Sequence, residues 1–321
     1  MQTPTFRTQV SPQPSTQPIY YEDKLLLIGS CFTENIGKQL KNLQFQTQVN
    51  PQGIVFNPIS IAKSLTRMIE NRNFQADELH ETQGLWFSYE HHSSFSQLSQ
   101  AACLQGIQSV FDTSRQGLQQ TDFLLLTFGT AWVYERKQTS EIVANCHKVP
   151  QYQFRKRLLS VQEIVAQYKT LIPQLLAYCP HLRQIIFTIS PVRHWKDGVV
   201  ENQQSKATLQ LALREIAQIF PQLSHYFPAY EIMLDDLRDY RFYEADMLHP
   251  NEVAIQYIWQ AFQQAHIAPA CYPIIADVQK INTALAHRPF QPQSESHKSY
   301  LQNVQNKIKK LQANFPFMKF G

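Results

Sequence analysis

The fold is decided by Lys24-Leu-Leu-Leu-Ile-Gly-Ser-Cys-Phe-Thr-Glu-Asn-Ile-Gly-Lys-Gln-Leu40, in which an apolar run leads directly into a helical pattern. A continuous apolar run that ends at a turn signal, here Gly29, predicts a strand buried on both faces, as in a parallel sheet. The apolar residues that follow at intervals of four predict a helix packed against that sheet. Ser30 stands between them, at the carboxyl end of the strand, where open α/β sheets bind ligands. Ser30 is therefore the first candidate nucleophile, and helix capping is its alternative role.

The composition is that of a globular protein with a full hydrophobic core. The chain has 321 residues, of which 43% are apolar and 12% aromatic, enough for one large or two modest domains. Its net charge of +4 is mild and its basic residues are scattered, with tight clusters only at 155–157 and 309–310. Such short runs are typical of solvated surfaces, so we expect no nucleic-acid partner.

The cysteines and the apolar runs indicate where the protein works. Five cysteines form no Cys-x-x-Cys pair and no compact disulfide framework, which favours a reducing compartment. The first residues contain no apolar segment typical of a secretory signal, and no apolar run approaches the roughly 20 residues of a membrane span. The sequence therefore predicts a cytoplasmic protein without a membrane span. It has no Gly-x-Gly-x-x-Gly loop and no paired metal-ligand motif, so we expect neither a cofactor nor a metal.

Strands and helices alternate along residues 21–268. Strands are predicted at 24–28, 45–49, 122–128, 183–190 and 227–233, and helices at 32–40, 59–69, 97–119, 161–178 and 201–219, with a last helix opened by Pro250. This alternation predicts one doubly wound α/β domain with a central parallel sheet of about five strands. Residues 1–20 are predicted to form an extended arm, and residues 269–321 a C-terminal extension with a basic amphipathic helix.

Two segments interrupt the alternation. Residues 71–96 are irregular and aromatic, which fits either a lid or pocket wall or a surface loop anchored by its aromatic side chains. Residues 130–134 and 141–145 predict a hairpin inserted after a sheet strand. We expect this hairpin to return the chain to the edge of the sheet at which Ser30 stands.

Asp246-Met-Leu-His249 supplies the partners that a reactive serine needs. A serine becomes a nucleophile when a base lies within hydrogen-bond reach and a third group orients that base. The motif follows the last predicted strand, so we expect it at the same edge of the sheet as Ser30. The following proline, Pro250, restricts the backbone of His249. The alternative is a helix N-terminus at which Asp246 interacts with the helix dipole and His249 is only exposed.

Five strings together resemble a known family. They are Ile28-Gly-Ser-Cys-Phe32, Leu126-Thr-Phe-Gly-Thr-Ala-Trp-Val-Tyr134, Ala144-Asn-Cys-His-Lys148, Ser190-Pro-Val-Arg-His194, and Asp236-Leu-Arg-Asp-Tyr-Arg-Phe-Tyr243 through Asp246-Met-Leu-His-Pro250. In this order they resemble the GSCFA-domain family, part of the SGNH/GDSL hydrolase-like superfamily. The resemblance implies a flavodoxin-like three-layer α/β/α sandwich and ester chemistry by a Ser-His-Asp triad. Ser30 would be the nucleophile, His249 the base that takes its proton, and Asp246 the residue that orients the imidazole.

The sequence departs from the superfamily pattern at the oxyanion hole. No acidic residue precedes Ser30, and the third block, usually Gly-x-Asn-Asp, reads Gly129-Thr-Ala-Trp132. The expected donors are the N–H groups of Ser30 and Gly53, with Asn145 preferred over Asn57 as the replacement for the missing asparagine. Each donor is worth about 3 kcal/mol of the barrier, so an active enzyme needs such a replacement.

The sequence thus predicts a serine-dependent esterase or acyltransferase that acts on a small acyl group, such as acetyl, of a carbohydrate ester. The substrate pocket is predicted to contain His92, Trp132, His147 and Gly129. Three alternatives stay open, and the oligomeric state is not determined. They are a thiol nucleophile at Cys31, a metal site among His91, His92, His147, His194 and Asp246, and a non-catalytic binding module with a decayed oxyanion hole.

Overall fold

The computed structural model describes residues 8–287 and 294–320. Of the predicted N-terminal arm, residues 1–7 lie outside the described residues. The rest of the arm runs without regular structure and is attached to the domain by backbone hydrogen bonds, from Ser15 N to Ala265 O and from Ile19 N to His266 O, both 2.7 Å long. Within the described ranges, no helix has the length and apolar character that crossing a membrane requires.

A sheet of five parallel strands forms the centre of the molecule. The strands are β1 (Lys24–Gly29), β2 (Gln46–Val49), β5 (Phe123–Phe128), β9 (Gln184–Ile189) and β10 (Ser224–Phe227). Their spatial order is β10-β9-β5-β1-β2. Every residue of β5 and β9 is buried, as the continuous apolar runs predict for a sheet covered on both faces. The predicted α/β fold class, with a five-stranded parallel sheet, is confirmed.

Helices cover both faces of the sheet, so the domain has three layers. They are α1 (Cys31–Asn42), α2 (Pro58–Ile69), α3 (Gln100–Gln119), α4 (Val161–Tyr178), α5 (Val199–Ile219) and α7 (Glu252–His266). One core lies between the sheet and α2, α3, α4 and α5, and it contains Leu65, Phe111 and Leu209. A second core lies on the opposite face, where Phe32 of α1 meets Phe262 of α7. The two cores are the physical basis of the doubly wound sandwich.

An inserted cap stands over one end of the sheet. It consists of the hairpin β3 (His80–Thr82) and β4 (Leu85–Phe87), and of a second sheet with β6 (Trp132–Arg136), β7 (Ile142–Val143) and β8 (Phe154–Leu158). The predicted hairpin is confirmed, because β6 and β7 are antiparallel. β8 was not predicted, since its Phe-Arg-Lys-Arg-Leu sequence has no apolar alternation. The cap has its own small core of Phe87, Val143, Val149 and Phe154.

The last sheet strand differs from its prediction. A strand over 227–233 was expected, but β10 ends at Phe227 and the chain then forms a short helix, α6 (Ala229–Glu231). A π-helical turn over Ile232–Asp236 continues it and buries Ile232 and Met233 in the second core. A short apolar run fits a buried strand and a buried helical turn equally well, so periodicity cannot separate them.

The C-terminal extension packs on the domain. It contains α8 (Tyr272–Ala286) and α9 (Glu295–Asn314), and Val304 and Ile308 of α9 pack on α8. The chain then returns to the second core, where Met318 is buried and the Phe315 ring lies 5.5 Å from that of Tyr21. The predicted division of the chain at residue 268 stays a prediction.

Candidate active site

Ser30 lies directly after β1, at the carboxyl ends of the parallel strands. Its side chain is buried, and its Oγ accepts a hydrogen bond from Phe32 N at 3.3 Å, so it caps α1. Its own N–H donates to Thr127 O at 3.2 Å. A Cβ added at Gly29 would lie 2.7 Å from Thr127 Cβ, so glycine lets β1 approach β5 closely at this point. The serine is thus held at the switch from strand to helix.

Asp246 and His249 form a hydrogen-bonded pair. Asp246 Oδ2 lies 2.6 Å from His249 Nδ1, and Oδ1 accepts hydrogen bonds from the backbone N–H groups of Leu248 and His249 at 2.8 and 3.0 Å. The backbone N–H groups of His249 and Leu248, and then the imidazole, lower the pKa of Asp246 to about 2. A carboxylate at Nδ1 fixes the proton there, which leaves Nε2 as the basic nitrogen. The pair is about half exposed.

Ser30 and His249 line one cavity of about 290 Å³. The cavity walls are apolar in large part, with Ile54, Phe56 and Val192 among them. In the described part of the chain no hydrogen bond joins Ser30 to His249. The two residues therefore line the same cavity without a hydrogen bond between them, and a proton transfer requires an approach of one side chain toward the other.

A second cavity of about 320 Å³ lies under the cap. His92, Trp132, Tyr134 and Asn145 are among the residues that line it. The two cavities have four lining residues in common, Ile54, Phe56, His194 and Lys196. We call them the inner cavity, which contains Ser30, and the outer cavity, which lies under the cap. Together they form a single cleft between the sheet and the cap.

Two of the predicted pocket residues, His92 and Trp132, line the outer cavity. Gly129 lies beside the cleft, where an added Cβ would stand 2.9 Å from Phe56 Cβ and 3.3 Å from His194 Nε2. His147 is part of the cap interior instead. Its ring stacks on Phe87 at 4.3 Å and its Nε2 contacts two carbonyl oxygens, at 2.9 and 3.1 Å.

The backbone donors predicted for the oxyanion hole are already engaged. The Gly53 N–H donates to Asn50 O at 2.8 Å within a turn, and the Ser30 N–H donates to Thr127 O. Neither group is therefore directed at a ligand in this conformation. Their role in an oxyanion hole stays a prediction that requires a rearrangement of these two turns.

The two candidate asparagines differ in their surroundings. Asn57 is buried at the start of α2, where its Oδ1 accepts from Ser60 N at 2.8 Å and its Nδ2 donates to Ser60 Oγ at 2.9 Å. Both asparagines line the outer cavity, and Asn145 Oδ1 accepts from His147 N at 3.0 Å. The Asn57 Nδ2 is already bonded within its own helix start, so Asn145 stays the preferred prediction.

Helix α5 contributes a row of polar residues that sequence reasoning missed. Asn202 Oδ1 accepts from His194 N at 3.0 Å, and Ser205 Oγ accepts from Ala131 N at 2.7 Å. Lys206 Nζ donates to the carbonyl oxygens that follow β5 and β9, those of Gly129 and Ser190, both at 2.7 Å. A sequence signal exists, because these three residues continue the buried face of α5 formed further along by leucine, alanine and isoleucine.

Burial controls protonation on this side of the cleft. Complete burial lowers the pKa of Lys206 to about 7, although its two carbonyl partners favour the protonated form. Burial also lowers the pKa of His194 to about 4, with the charge of Lys206 as the next cause. His194 is therefore a neutral wall of the cleft at neutral pH.

The structure bears on the two alternative sites, a thiol nucleophile at Cys31 and a metal site. Cys31 lines the inner cavity beside Ser30 rather than turning away from it, and burial raises the pKa of its thiol. A thiolate at Cys31 is thus disfavoured. Among the described residues, no three His, Cys, Asp or Glu side chains come close enough together to hold a metal ion.

Two family models match this chain. The GSCFA family model matches residues 24–262, and the GSCFA C-terminal domain model matches residues 278–321. Comparison with curated protein sequences gives no match.

Two solved structures illustrate more distant similarity. A carbohydrate esterase family 3 protein from Talaromyces cellulolyticus is 9% identical, with 79% of this chain and 99% of that chain covered, at a TM-score of 0.34. A carbohydrate esterase family 2 enzyme with a carbohydrate-binding domain, from Corynascus thermopiles (Myceliophthora fergusii), is 10% identical, with 85% and 69% covered, at a TM-score of 0.36. The family match spans most of the chain, and the protein therefore belongs to the GSCFA family.

Proposed function

We propose that the protein is a serine-dependent esterase or acyltransferase with Ser30 as nucleophile, His249 as base and Asp246 as orienting carboxylate. One observation carries this proposal: a carboxylate-bound imidazole, with Asp246 Oδ2 and His249 Nδ1 2.6 Å apart, lines the same cavity as a serine at the carboxyl end of the first strand. This arrangement of base and orienting group is that of serine hydrolases.

The reaction begins with approach of the Ser30 hydroxyl to His249 Nε2. His249 takes the hydroxyl proton while Oγ forms a bond to the ester carbonyl carbon, and Asp246 stabilises the imidazolium. The C–O bond to the alcohol then breaks, and the imidazolium returns its proton to the leaving oxygen. The acyl group stays on Ser30 until water or a second alcohol attacks the acyl carbon with the help of the same base. Exclusion of water by the cleft decides between hydrolysis and transfer.

The cleft has a division that suits an ester with two unlike halves. The walls of the inner cavity are largely apolar, with Ile54, Phe56 and Val192 beside Ser30, which suits the acyl group of an ester. The outer cavity has Trp132 and Tyr134 among its walls, and aromatic faces of this kind suit a carbohydrate ring. We propose that the acyl group occupies the inner cavity and the alcohol the outer one.

A second candidate, a non-catalytic binding module, is favoured by a specific observation. The Ser30 and Gly53 N–H groups both donate to backbone carbonyls, so neither of the two predicted backbone donors is free in this conformation. A protein that only binds its ligand does not need these donors. The two candidates differ in whether Ser30 becomes covalently modified.

The test is hydrolysis of p-nitrophenyl acetate together with labelling by a fluorophosphonate. We expect wild type to turn over and to be labelled at Ser30, and Ser30→Ala and His249→Ala to lose at least 100-fold in kcat, in line with the loss of a nucleophile or a general base. Cys31→Ala is the control, since it removes the neighbouring thiol and leaves the triad intact. Equal background hydrolysis in all four proteins, without a Ser30 adduct, would establish the binding module instead.

A further inference from the structure

We infer that the cleft recognises a negatively charged group on its substrate, and that Lys196 is the residue that binds this group. This inference rests on the proposed function for the position of the ester, and it adds a substrate class to it. Lys196 is one of the four residues that line both cavities. It therefore stands where the acyl half and the alcohol half of a bound ester would meet.

Lys196 has no acidic partner in the part of the chain that the structure describes. The salt bridges nearby use other residues: the neighbouring Asp197 binds Lys156, with Nζ and Oδ1 2.7 Å apart. Glu201, on the next helix, lines neither cavity. The positive charge of Lys196 instead acts on the groups of the cleft: burial raises the pKa of the Cys146 thiol and Lys196 partly opposes that rise, while burial and Lys206 lower the pKa of His194 and Lys196 adds to that fall.

A second cation of the cleft is likewise without a carboxylate. Arg193 lines the inner cavity, where its guanidinium donates to the carbonyl oxygen of Met247 and lies over the rings of Trp195 and Tyr243, at 5.1 and 4.7 Å. Asp197 is neutralised by Lys156, whereas Asp246 keeps its negative charge, since an imidazole that acts as a base is uncharged. Lys196 and Arg193 together outweigh that single charge, so the charge that the cleft offers a ligand is positive.

The physical consequence is a preference for anions. A cleft with low-dielectric walls and unpaired charge of one sign concentrates ligands of the opposite sign. A lysine ammonium is a compact point charge, so it requires no particular geometry from a carboxylate or a phosphate. Buried Lys206, beneath the carboxyl ends of β5 and β9, adds positive potential from below when it is protonated. We therefore expect an ester whose acyl or alcohol half carries a carboxylate or a phosphate.

Two pairs of esters test this and show which half carries the charge. In the first pair, p-nitrophenyl hemisuccinate has an anionic acyl group and p-nitrophenyl pentanoate a neutral one. In the second pair, 4-acetoxybenzoate has an anionic alcohol half and methyl 4-acetoxybenzoate a neutral one. For one of the two pairs, we expect the kcat/KM of wild type at low salt to be about tenfold higher for the anionic ester than for the neutral one. This difference should become smaller at 0.5 M salt.

The variants are Lys196→Met and, as a matched control, Lys169→Met on the exposed outer face of α4. The preference, measured as the ratio of kcat/KM for the anionic ester to kcat/KM for the neutral ester, should disappear in Lys196→Met and persist in Lys169→Met, and the neutral esters should change little in Lys169→Met. The inference would be overturned if wild type had no higher kcat/KM for the anionic ester than for the neutral ester in either pair. A preference for the anionic ester that survives in Lys196→Met would overturn it as well.

Binding of a product separates this inference from the proposed function. Calorimetry of 4-hydroxybenzoate and of its methyl ester requires no catalysis. Tighter binding of the anion by wild type than by Lys196→Met, with no ester hydrolysed, would reject the serine chemistry and keep the anion site. Hydrolysis of neutral esters that depends on Ser30, without preference for anions in rate or binding, would keep the chemistry and reject the anion site.

Discussion

The two walls of the cleft are built in different ways. The wall that carries Ser30, His194 and His249 consists of short connections at the ends of parallel strands, and its frame is the continuous pairing of β1, β5 and β9. The opposite wall is the cap, which consists of two small antiparallel sheets and a four-residue core. If the proposed function holds, the reactive groups and Lys196 stand on the frame of parallel strands, and the aromatic contacts to the alcohol half come from an insertion that can vary without disturbing that frame.

A buried cation on a neighbouring helix supports each wall. On the cap side, Arg67 of α2 is 1% exposed, donates to Glu78 at 2.8 Å and to Glu90 at 3.2 Å, and lies 3.5 Å from the centre of the Phe74 ring. In the sheet wall, Lys206 binds two carbonyl oxygens and no carboxylate among the described residues. The arginine pairs with charges, while the lysine is held by dipoles alone. Substitutions at these positions test the two walls separately.

Arg67→Met should have the largest effect, a loss of about 3 kcal/mol in the free energy of unfolding. Removal of one partner from a buried ion pair leaves the other partner's charge uncompensated, and the partial exposure of Glu78 keeps the cost at the lower end of the usual range. Urea unfolding measures it. Lys63→Met is the control, since Lys63 also binds Glu90 but is partly exposed; an equal loss in both variants would contradict a special role of Arg67.

Lys206→Met should change how stability depends on pH. The pKa of Lys206 is about 7 in the folded protein, below its ordinary 10.5, so the unfolded chain binds a proton that the folded chain releases. This contribution makes wild type more stable as pH rises from 7 toward 10, by up to about 2.7 kcal/mol between pH 7 and 9. Denaturant unfolding at both pH values should show the increase in wild type and not in Lys206→Met. If the free energy of unfolding changed equally with pH in wild type and in Lys206→Met, Lys206 would stay protonated over this range.

His91→Phe should make the cap less sensitive to acid. His91 is buried between Phe74 and Phe95, neither ring nitrogen has a partner among the described residues, and burial lowers its pKa to about 3. Its contribution is complete above pH 6.5 and is lost as pH falls toward 3, so wild type should lose about 2 kcal/mol between pH 7 and 5 through this residue. Between pH 7 and 5, the free energy of unfolding of His91→Phe should therefore fall by about 2 kcal/mol less than that of wild type. Identical losses in the two proteins would show that His91 does not control acid stability.

Arg193→Met should have the smallest effect, a fall of about tenfold in kcat with KM little changed. Arg193 binds the backbone of the loop that carries Asp246 and His249, through Met247 O, and so acts as a positioning residue. Esterase assays over a pH range provide the measurement, because a misplaced imidazole should also shift the pH profile of kcat. Arg238→Met, which removes an exposed arginine elsewhere, is the control; a change in KM alone would contradict a positioning role.

The sequence predicted most of the sheet wall because that wall depends on local patterns. The continuous apolar runs identify β1, β5 and β9, and parallel strands place their carboxyl ends together. Ser30 and His249 were therefore placed at one edge from the sequence alone, and they do line one cavity. The Asp246–His249 contact needs only a three-residue spacing within one turn. The catalytic roles of these residues stay predictions.

The cap was only partly predictable. β8 has three consecutive basic residues, and two of them, Arg155 and Arg157, bind Glu135 on the adjacent β6. Cross-strand ion pairs with β6 stabilise this strand, and its own sequence lacks the apolar alternation by which strands are predicted. His147 was expected in the pocket, but stacking on Phe87 turns it into the cap. These outcomes depend on residues far away in sequence.

The sequence by itself determined β1, β5, β9 and the helices that follow them, the place of Ser30 and the pairing of Asp246 with His249, because each depends on neighbours a few residues away. Only the tertiary structure decided that the Gly53 N–H is engaged in a turn, that Lys206 binds two strand ends, and that Lys196 faces both cavities. The physical reason is that hydrogen-bond partners, burial and unpaired charge are properties of the assembled core. They are set by contacts across the chain, which no local pattern records.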